Sequence, residues 1–299
     1  MELAEWYGRA PATFPPVNRP ERRYCHKSML GWRPMYMTAR VVENRPLARG
    51  NFVLRLSLPD DGEALSKALP GQFVMLRGEW GRDPLLPRAF SILRLCDGGC
   101  EILVKAIGRG TRLLQLALKG APMTLLGPLG QPFVDGGAGD WLVAGGVGLA
   151  PLLWFAEKYP RASHQMVYGA RTAEDLVLLD DIRKTGCGMV LTTEDGSAPA
   201  GSTVEKGRVT DALKSRLPTG AGARVLTCGP NAMMRAVVDL ARAHDVPCLV
   251  SVEGEMACGI GVCLGCALPL ADYGTGGTRP FAYACVDGPV FDASKVVIP

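Results

Sequence analysis

The sequence is poor in several features that would identify common functional classes. Its 299 residues carry a net charge of only +4, and the basic side chains are spread along the chain, which argues against a nucleic-acid-binding surface. It contains three histidines and neither an H-E-x-x-H nor a G-x-S-x-G motif, so nothing points to a hydrolase. We therefore expect small-molecule or protein partners and no nucleic acid.

Long apolar segments are also missing. An uncharged run at residues 141–156 is too short and too rich in glycine to span a membrane. Glu2 and Glu5 lie near the N-terminus, and no apolar export signal follows Arg22-Arg23. Ten cysteines outside a small secreted scaffold are typical of reducing conditions, so we expect a cytoplasmic protein without membrane partners.

What the sequence does contain is a group of four closely spaced cysteines near its C-terminus. Their separations of four, two and eighteen residues match the plant-type ligand spacing of a two-iron, two-sulfur cluster, with the ligands Cys258, Cys263, Cys266 and Cys285. The intervening glycines allow backbone N–H groups to approach sulfur. A structural zinc site is the alternative, but zinc ribbons repeat a two-residue gap in both ligand pairs. The spacing therefore favours iron and sulfur, and with them single-electron transfer.

Turn signals and hydrophobic periodicity divide the chain into four regions. Residues 1–36 are rich in proline and aromatics and are interpreted as an N-terminal extension. Short alternating runs in residues 37–136 predict an antiparallel β-barrel, interrupted by one helix at 111–118. In residues 137–246, strands alternate with helices, which predicts a parallel α/β sheet. Residues 247–299 form a small cluster domain.

A flavin is expected between the cluster and a nicotinamide cofactor. Nicotinamide exchanges electrons in pairs and an iron-sulfur cluster exchanges them singly, and only a flavin readily does both. In the barrel region, one tetrapeptide offers a cation for phosphate, an aromatic ring for stacking and a hydroxyl group. These residues are Arg88, Ala89, Phe90 and Ser91.

A glycine turn follows the next predicted barrel strand. Gly110 and Thr111 lie where the predicted helix begins, and free N–H groups at a helix start suit a pyrophosphate. An ordinary turn is the alternative for these glycines. The preceding strand would offer backbone groups to the flavin through Leu103, Val104 and Lys105.

Two further glycine turns connect strands to helices in the α/β region. They contain Gly145, Gly146 and Gly148 in the first turn and Cys228, Gly229 and Pro230 in the second. Ligands bind at the carboxyl ends of parallel strands, where both turns are expected, so these residues are candidates for binding NAD. Cys228 is the candidate catalytic residue, placed against the nicotinamide ring, with a small buried hydrophobe as the alternative.

Glu194 and Asp195 follow another predicted strand of this sheet. A carboxylate there would accept hydrogen bonds from ribose hydroxyls and repel a 2′-phosphate, which favours NAD over NADP. Solvated loop acids are the alternative.

The order of these motifs resembles the ferredoxin reductase superfamily from about Tyr36 to the C-terminus. More narrowly, residues 254–261 and 285–291 resemble the electron transfer subunits of class B dihydroorotate dehydrogenases. The resemblance implies an FAD-binding barrel, an NAD-binding domain and a 2Fe-2S domain. It assigns FAD to the barrel residues named above and the cluster to the four cysteines. The extension at residues 1–36 departs from the family.

The resemblance also implies a partner and a role in pyrimidine biosynthesis. An FMN-containing catalytic subunit would oxidise dihydroorotate, and electrons would pass through the cluster and FAD to NAD in a heterotetramer of two plus two subunits. A barrel of about 250 residues for that chemistry does not fit beside the elements already assigned. Two alternatives stay open: the small subunit of an NAD-dependent ferredoxin:NADP oxidoreductase or sulfide dehydrogenase, and a zinc-stabilised nucleotide-binding regulator.

Overall fold

A computed structural model describes residues 35–136, 139–161, 163–220 and 223–299. From Met35 onward these residues belong to one compact unit. The predicted extension at 1–36 lies almost entirely outside the described residues. Within the part of the chain that is described, no helix is long and apolar enough to cross a membrane.

The first part of the fold is a closed antiparallel barrel of six strands in the order β1-β2-β5-β4-β3-β6. Its strands are β1 (Met35–Pro46), β2 (Asn51–Ser57), β3 (Phe73–Gly78), β4 (Arg88–Cys96), β5 (Gly99–Lys105) and β6 (Pro122–Leu129). One short helix, α1 (Arg109–Gln115), follows β5. Phe52, Leu54 and Leu56 of β2 alternate into the barrel interior and are fully buried, as the period of two requires.

The predicted barrel is confirmed, but the sequence does not predict its last strand, β6. This strand closes the barrel by pairing with both β1 and β3. The strand contains Pro122, Gly127 and Pro128, and these residue types indicate turns rather than strands. Tertiary pairing outweighs that local preference here.

The second part is a seven-stranded sheet in the order β10-β9-β8-β7-β11-β12-β15. Its strands are β7 (Asp140–Gly145), β8 (Gln165–Ala170), β9 (Gly188–Thr193), β10 (Glu205–Lys206), β11 (Arg224–Cys228), β12 (Cys248–Ser251) and β15 (Val290–Asp292). The helices are α2 (Leu149–Lys158), α3 (Leu179–Lys184), α4 (Val209–Lys214) and α5 (Asn231–Ala243). All neighbouring strands are parallel except β12 and β15. The predicted α/β alternation is confirmed.

The C-terminal region is joined to this sheet. β12 and β15 both lie beyond residue 246, where the sequence places a domain boundary, and both add to the nucleotide-domain sheet. Between them, β13 (Ala267–Pro269) and β14 (Phe281–Tyr283) form a separate two-stranded hairpin after the cysteine loop. The cluster region is therefore an insertion between two strands of the α/β sheet.

Ion pairs connect the barrel with the α/β sheet. Arg94 of β4 contacts Glu157 of α2 at 2.6 Å and Asp181 of α3 at 3.2 Å. Its side chain is only 21% exposed, so these contacts are less screened by water than surface pairs are. They help fix the barrel against the sheet that carries the nucleotide turns.

Candidate functional site

The four predicted cluster ligands form two pairs of sulfur atoms. Cys266 and Cys285 are both buried, and their Sγ atoms are 3.2 Å apart. Cys258 is half-buried and interacts with exposed Cys263, whose backbone N–H donates to Cys258 Sγ at 3.4 Å. Two thiolates for each of two irons is the ligand set of a 2Fe-2S cluster. Within residues 35–136, 139–161, 163–220 and 223–299, no three His, Cys, Asp or Glu side chains are grouped so that they could hold a single metal ion.

At Cys258 and Cys266, hydrogen bonds favour the thiolate form that binds iron. Burial opposes it, but backbone N–H groups of Cys263, Ile260 and Val262 lower the pKa of the Cys258 thiol. A hydrogen bond with Cys285 lowers the pKa of Cys266 to about 6 against the opposing effect of burial, and it raises the pKa of Cys285. The Gly261 N–H also donates to Cys285 Sγ at 3.2 Å. The cysteine loop therefore fits a sulfur-ligated cluster.

Backbone geometry explains the glycines of this loop. Gly259 and Gly261 have φ values of 73° and 75°, which L-residues with side chains rarely adopt. A Cβ at Gly259 would lie 2.6 Å from Met75 Cγ of β3 and 3.0 Å from Leu129 Cδ1 of β6. The cysteine loop is therefore in direct contact with the barrel.

One cavity of about 770 Å³ lies where the barrel, the sheet and the cysteine loop meet. Its lining includes most of the residues predicted for flavin and nucleotide: Arg88, Ala89, Phe90, Ser91, Leu103, Val104, Lys105, Thr111, Gly148 and Cys228. Gly265, beside ligand Cys266, also lines it. The volume is within the range of cofactor pockets.

Arg88 and Gly110 form a local unit at one end of this cavity. A Cβ at Gly110 would lie 2.4 Å from Arg88 Nε, so the absence of a side chain leaves room for the guanidinium against α1. The Thr111 hydroxyl caps the same turn by accepting from the N–H groups of Ile107 and Gly108 at 3.1 and 3.0 Å. This leaves a fixed cation beside a helix start, an arrangement that suits a pyrophosphate.

Lys105 connects strand β5 of the barrel with the α/β sheet. Its Nζ lies 2.8 Å from Asp175 Oδ1, just after β8, and Thr172 donates to the same carboxylate at 3.2 Å. Partial burial opposes ionisation, but these hydrogen bonds and the lysine charge lower the pKa of Asp175. The Lys105 side chain is therefore engaged between the barrel and the α/β sheet.

The two nucleotide turns are packed backbone to backbone. A Cβ at Gly148 would lie 2.4 Å from the Cys228 carbonyl oxygen, and one at Gly229 would lie 3.0 Å from Gly145 N. A Cβ at Gly145 would likewise approach Pro230 Cδ at 3.0 Å. These turns end β7 and β11, adjacent strands from which the chain departs in opposite directions, and such a switch point is where nucleotides bind. Gly145, Gly146, Gly229 and Pro230 support this edge without lining the cavity itself.

The Cys228 side chain lines the cavity as an uncharged thiol. It is 3% exposed, and burial raises the pKa of its thiol, with the nearby carboxyl of Glu253 adding to the effect. A thiol of this kind is a poor nucleophile and a small packing surface.

Glu194 and Asp195 follow β9 at the same edge of the sheet. Both are exposed. The Ser197 hydroxyl and N–H donate to Asp195 Oδ1 at 2.6 and 2.9 Å and lower the pKa of that carboxyl. An ionised acid is thus fixed near the carboxyl end of the parallel strands, the position expected to favour NAD.

The sequence analysis does not predict a role for the segment that runs from the last residue of β12 to the first cysteine, residues 251–257, here called the connecting strap. Ser251, Val252, Glu253, Gly254, Glu255, Met256 and Ala257 all line the cavity. Their position could have signalled this, because a segment that joins a nucleotide strand to a cluster ligand must pass both sites.

Two family profiles match parts of this chain. Residues 253–297 match the iron-sulfur cluster binding domain of dihydroorotate dehydrogenase B, and residues 142–239 match the oxidoreductase NAD-binding domain. The first match includes all four cysteines, which favours iron and sulfur over the zinc alternative.

Full-length relatives agree with these profiles. The chain is 33% identical over 267 residues to a dihydroorotate dehydrogenase B (NAD(+)) electron transfer subunit of Clostridium acetobutylicum, covering 88% of this chain and 98% of that protein. It is 37% identical over 255 residues to a probable subunit of the same name from Methanopyrus kandleri, covering 85% and 88%.

Among solved structures, the chain resembles one of the NADH-dependent reduced ferredoxin-NADP oxidoreductase, with a TM-score of 0.73 and 28% identity. The match covers 87% of this chain and 90% of that one. A ferredoxin reductase of carbazole 1,9a-dioxygenase shares the fold at 24% identity, with a TM-score of 0.61 over 72% of this chain and 67% of that chain.

Proposed function

Because this chain belongs to the family of dihydroorotate dehydrogenase B (NAD(+)) electron transfer subunits, we propose that it connects a dihydroorotate-oxidising catalytic subunit with NAD. When bound, FAD would exchange hydride with NAD, and a 2Fe-2S cluster would exchange single electrons with the FMN of that partner. The observation that carries the proposal is the shared cavity, whose wall includes barrel strands, the β11 turn, the connecting strap and Gly265 of the cysteine loop.

Each region has a binding role in this proposal. Arg88 and the start of α1 hold the FAD pyrophosphate, and residues 103–105 offer backbone groups to its ring. The turns of β7 and β11 receive NAD, and Asp195 favours it over NADP. Cys228 supplies an apolar contact for the nicotinamide. The four cysteines hold the cluster in a loop that packs against the barrel.

The test of this function is an assay of the complex. Co-expression with an FMN-containing dihydroorotate dehydrogenase subunit should give a yellow-brown complex that oxidises NADH in proportion to the orotate it reduces. The chain alone should bind FAD but show no orotate-dependent NADH oxidation. A complex that never forms, or NADH oxidation indifferent to orotate, would refute the orotate assignment.

A second candidate is the small subunit of an NAD-dependent ferredoxin:NADP oxidoreductase. The similarity to such a structure at 28% identity favours it. In that case, electron transfer from NADH would require ferredoxin and NADP rather than orotate, and the same preparation distinguishes the two functions.

The partner is proposed to dock on the exposed face of the cysteine loop. Ligand Cys263 is exposed there, and Ile260, Val262 and Leu264 around it are 44%, 70% and 39% exposed. Single electrons pass readily only between closely spaced centres, and a cluster of exposed apolar side chains is typical of an interaction surface. We propose that two copies of each subunit assemble in this way, in the cytoplasm.

Replacing Val262 with Glu should weaken partner binding by at least about tenfold, because a charge would be buried at the centre of the interface. Val297→Glu is the matched control, since Val297 is also exposed, at 50%, but lies at the C-terminus. Dissociation constants from calorimetry would decide between them. Equal weakening by both substitutions, or by neither, would place the partner elsewhere.

A further inference from the structure

The two cationic side chains that line the cavity, Arg88 and Lys105, differ in their partners. Lys105 Nζ lies 2.8 Å from Asp175 Oδ1. Arg88 makes no ion pair with a carboxylate within the part of the chain that the structure describes, and its guanidinium donates to the carbonyl oxygen of Leu86. The fold therefore neutralises one cation of the cavity wall and leaves the charge of the other unmatched.

Asp175 is held in place for its contact with Lys105. Its side chain is only 9% exposed, and the Thr172 hydroxyl donates to the second carboxylate oxygen at 3.2 Å. The hydroxyl of fully buried Tyr168 donates to the Asp175 carbonyl oxygen at 3.3 Å. A buried and fixed carboxylate is less screened by water than the acid of a surface pair.

The contact also determines where the lysine charge lies. Lys105 lines the cavity, but neither Asp175 nor Thr172 belongs to the lining. The ammonium group is therefore held against a residue outside the cavity. A lysine without such a partner is a compact charge on a flexible four-carbon stem, and it can turn toward any anion within reach.

The position of this charge bears on the bound flavin. Charge near the ring tunes the electronics of a flavin, and a cation favours the electron-rich reduced form. FAD also carries an anionic pyrophosphate that would attract a free ammonium group. A flavin that is stabilised too strongly in its reduced form is a poor hydride donor to NAD⁺, so a neutralised Lys105 suits this chain.

We propose that Asp175 is a positioning residue that keeps the Lys105 ammonium group out of the flavin cavity and thereby limits the stability of reduced FAD. Asp175 lies outside the cavity lining and acts through Lys105. The inference rests on the proposed placement of FAD in this cavity and is independent of the identity of the partner subunit.

Asp175→Asn keeps the shape of the side chain and an oxygen that can accept from Thr172, but it removes the charge that holds Lys105. In the chain loaded with FAD and cluster, the equilibrium constant for flavin reduction, measured against a reference dye, should rise at least about tenfold. This corresponds to about 30 mV for a two-electron couple. Asp175→Glu keeps the charge and should stay within about threefold of the unmodified protein.

Glu174→Gln is the matched control, because it makes the same change of net charge one residue away. Glu174 is 68% exposed, and its ion-pair partner Arg49, at 3.7 Å, does not line the cavity. The equilibrium constant for flavin reduction should change by less than about twofold in this variant. A tenfold rise here as well would assign the effect to net charge and contradict the proposal.

A second background separates release of the lysine from the charge of Asp175 itself. In Lys105→Gln, the further change Asp175→Asn should alter the equilibrium constant by less than about threefold, because no ammonium group remains to be released. A carboxylate that acts only through its own charge, or only through the stability of the fold, would give the same factor in both backgrounds.

Amine labelling reports the position of Lys105 directly. In the FAD-free chain, acetylation of Lys105, followed by peptide mass spectrometry, should be at least about fivefold faster in Asp175→Asn than in the unmodified protein or in Glu174→Gln. Bound FAD should slow the labelling in Asp175→Asn at least about fivefold, because the released ammonium group then faces the cofactor.

Equal shifts of the flavin equilibrium in both backgrounds, or unchanged labelling in Asp175→Asn, would overturn the proposal. Faster labelling that bound FAD does not slow would count against the proposed FAD site and against this proposal with it. Failure of the orotate assay would affect only the proposed function, since these measurements need no partner subunit.

Discussion

Replacing Cys263 with Ser should abolish electron exchange with the partner while leaving flavin reduction by NADH close to normal. Cys263 is the exposed member of the first sulfur pair, so serine creates no cavity in the core, but it removes one of the two thiolates that would hold one iron. We expect loss of the cluster's absorbance and acid-labile sulfide and at least about a 100-fold slower relay to the partner, because the step that needs the cluster is missing.

Stopped-flow measurement of both half-reactions, with electron paramagnetic resonance of the cluster, would check this. Cys96→Ser is the matched control, since Cys96 is half-buried in the β4–β5 hairpin, away from the cysteine loop. Equal loss of NADH-dependent flavin reduction and of the relay would contradict the separation of the two steps. An intact cluster in Cys263→Ser would contradict its ligand role.

Replacing Arg88 with Met should weaken FAD binding by about 10- to 100-fold. A charged hydrogen bond between a guanidinium and a phosphate contributes about 2 kcal/mol, and methionine keeps the apolar stem without that bond. Arg112→Met, on an exposed position of α1, changes the net charge equally and should leave the affinity unchanged. Quenching of FAD fluorescence on binding gives the dissociation constants.

Gly110→Val provides an independent form of the same test. Its side chain would occupy the space of the Arg88 guanidinium, whose Nε lies 2.4 Å from the position of a Cβ at Gly110. We expect weaker FAD binding with no change of charge. Normal affinity in both Arg88→Met and Gly110→Val would remove the pyrophosphate from this corner of the cavity.

The sequence predicted those parts of the site whose chemistry lies in one short segment. Ligand spacing is such a property, and so is a glycine turn between a strand and a helix, because both depend on residues close together in the chain. The same holds for the alternating barrel strands and for the strand-helix alternation of the α/β sheet. The sequence does not predict strand β6, because its prolines and glycine disfavour a strand locally. Its pairing with β1 and β3 is made between residues far apart in the chain.

By itself, then, the sequence determined the kinds of chemistry available: four thiolates at cluster spacing, a cation for phosphate and two nucleotide turns. Only the tertiary structure decided that the segments carrying them meet at one cavity. Insertion of the cluster region between β12 and β15 brings Gly265 and the connecting strap to the cavity that β4 and β5 also line, and contact of Gly259 with Met75 holds the loop there. The physical reason is that proximity between distant segments comes from packing and strand pairing, which local composition does not encode.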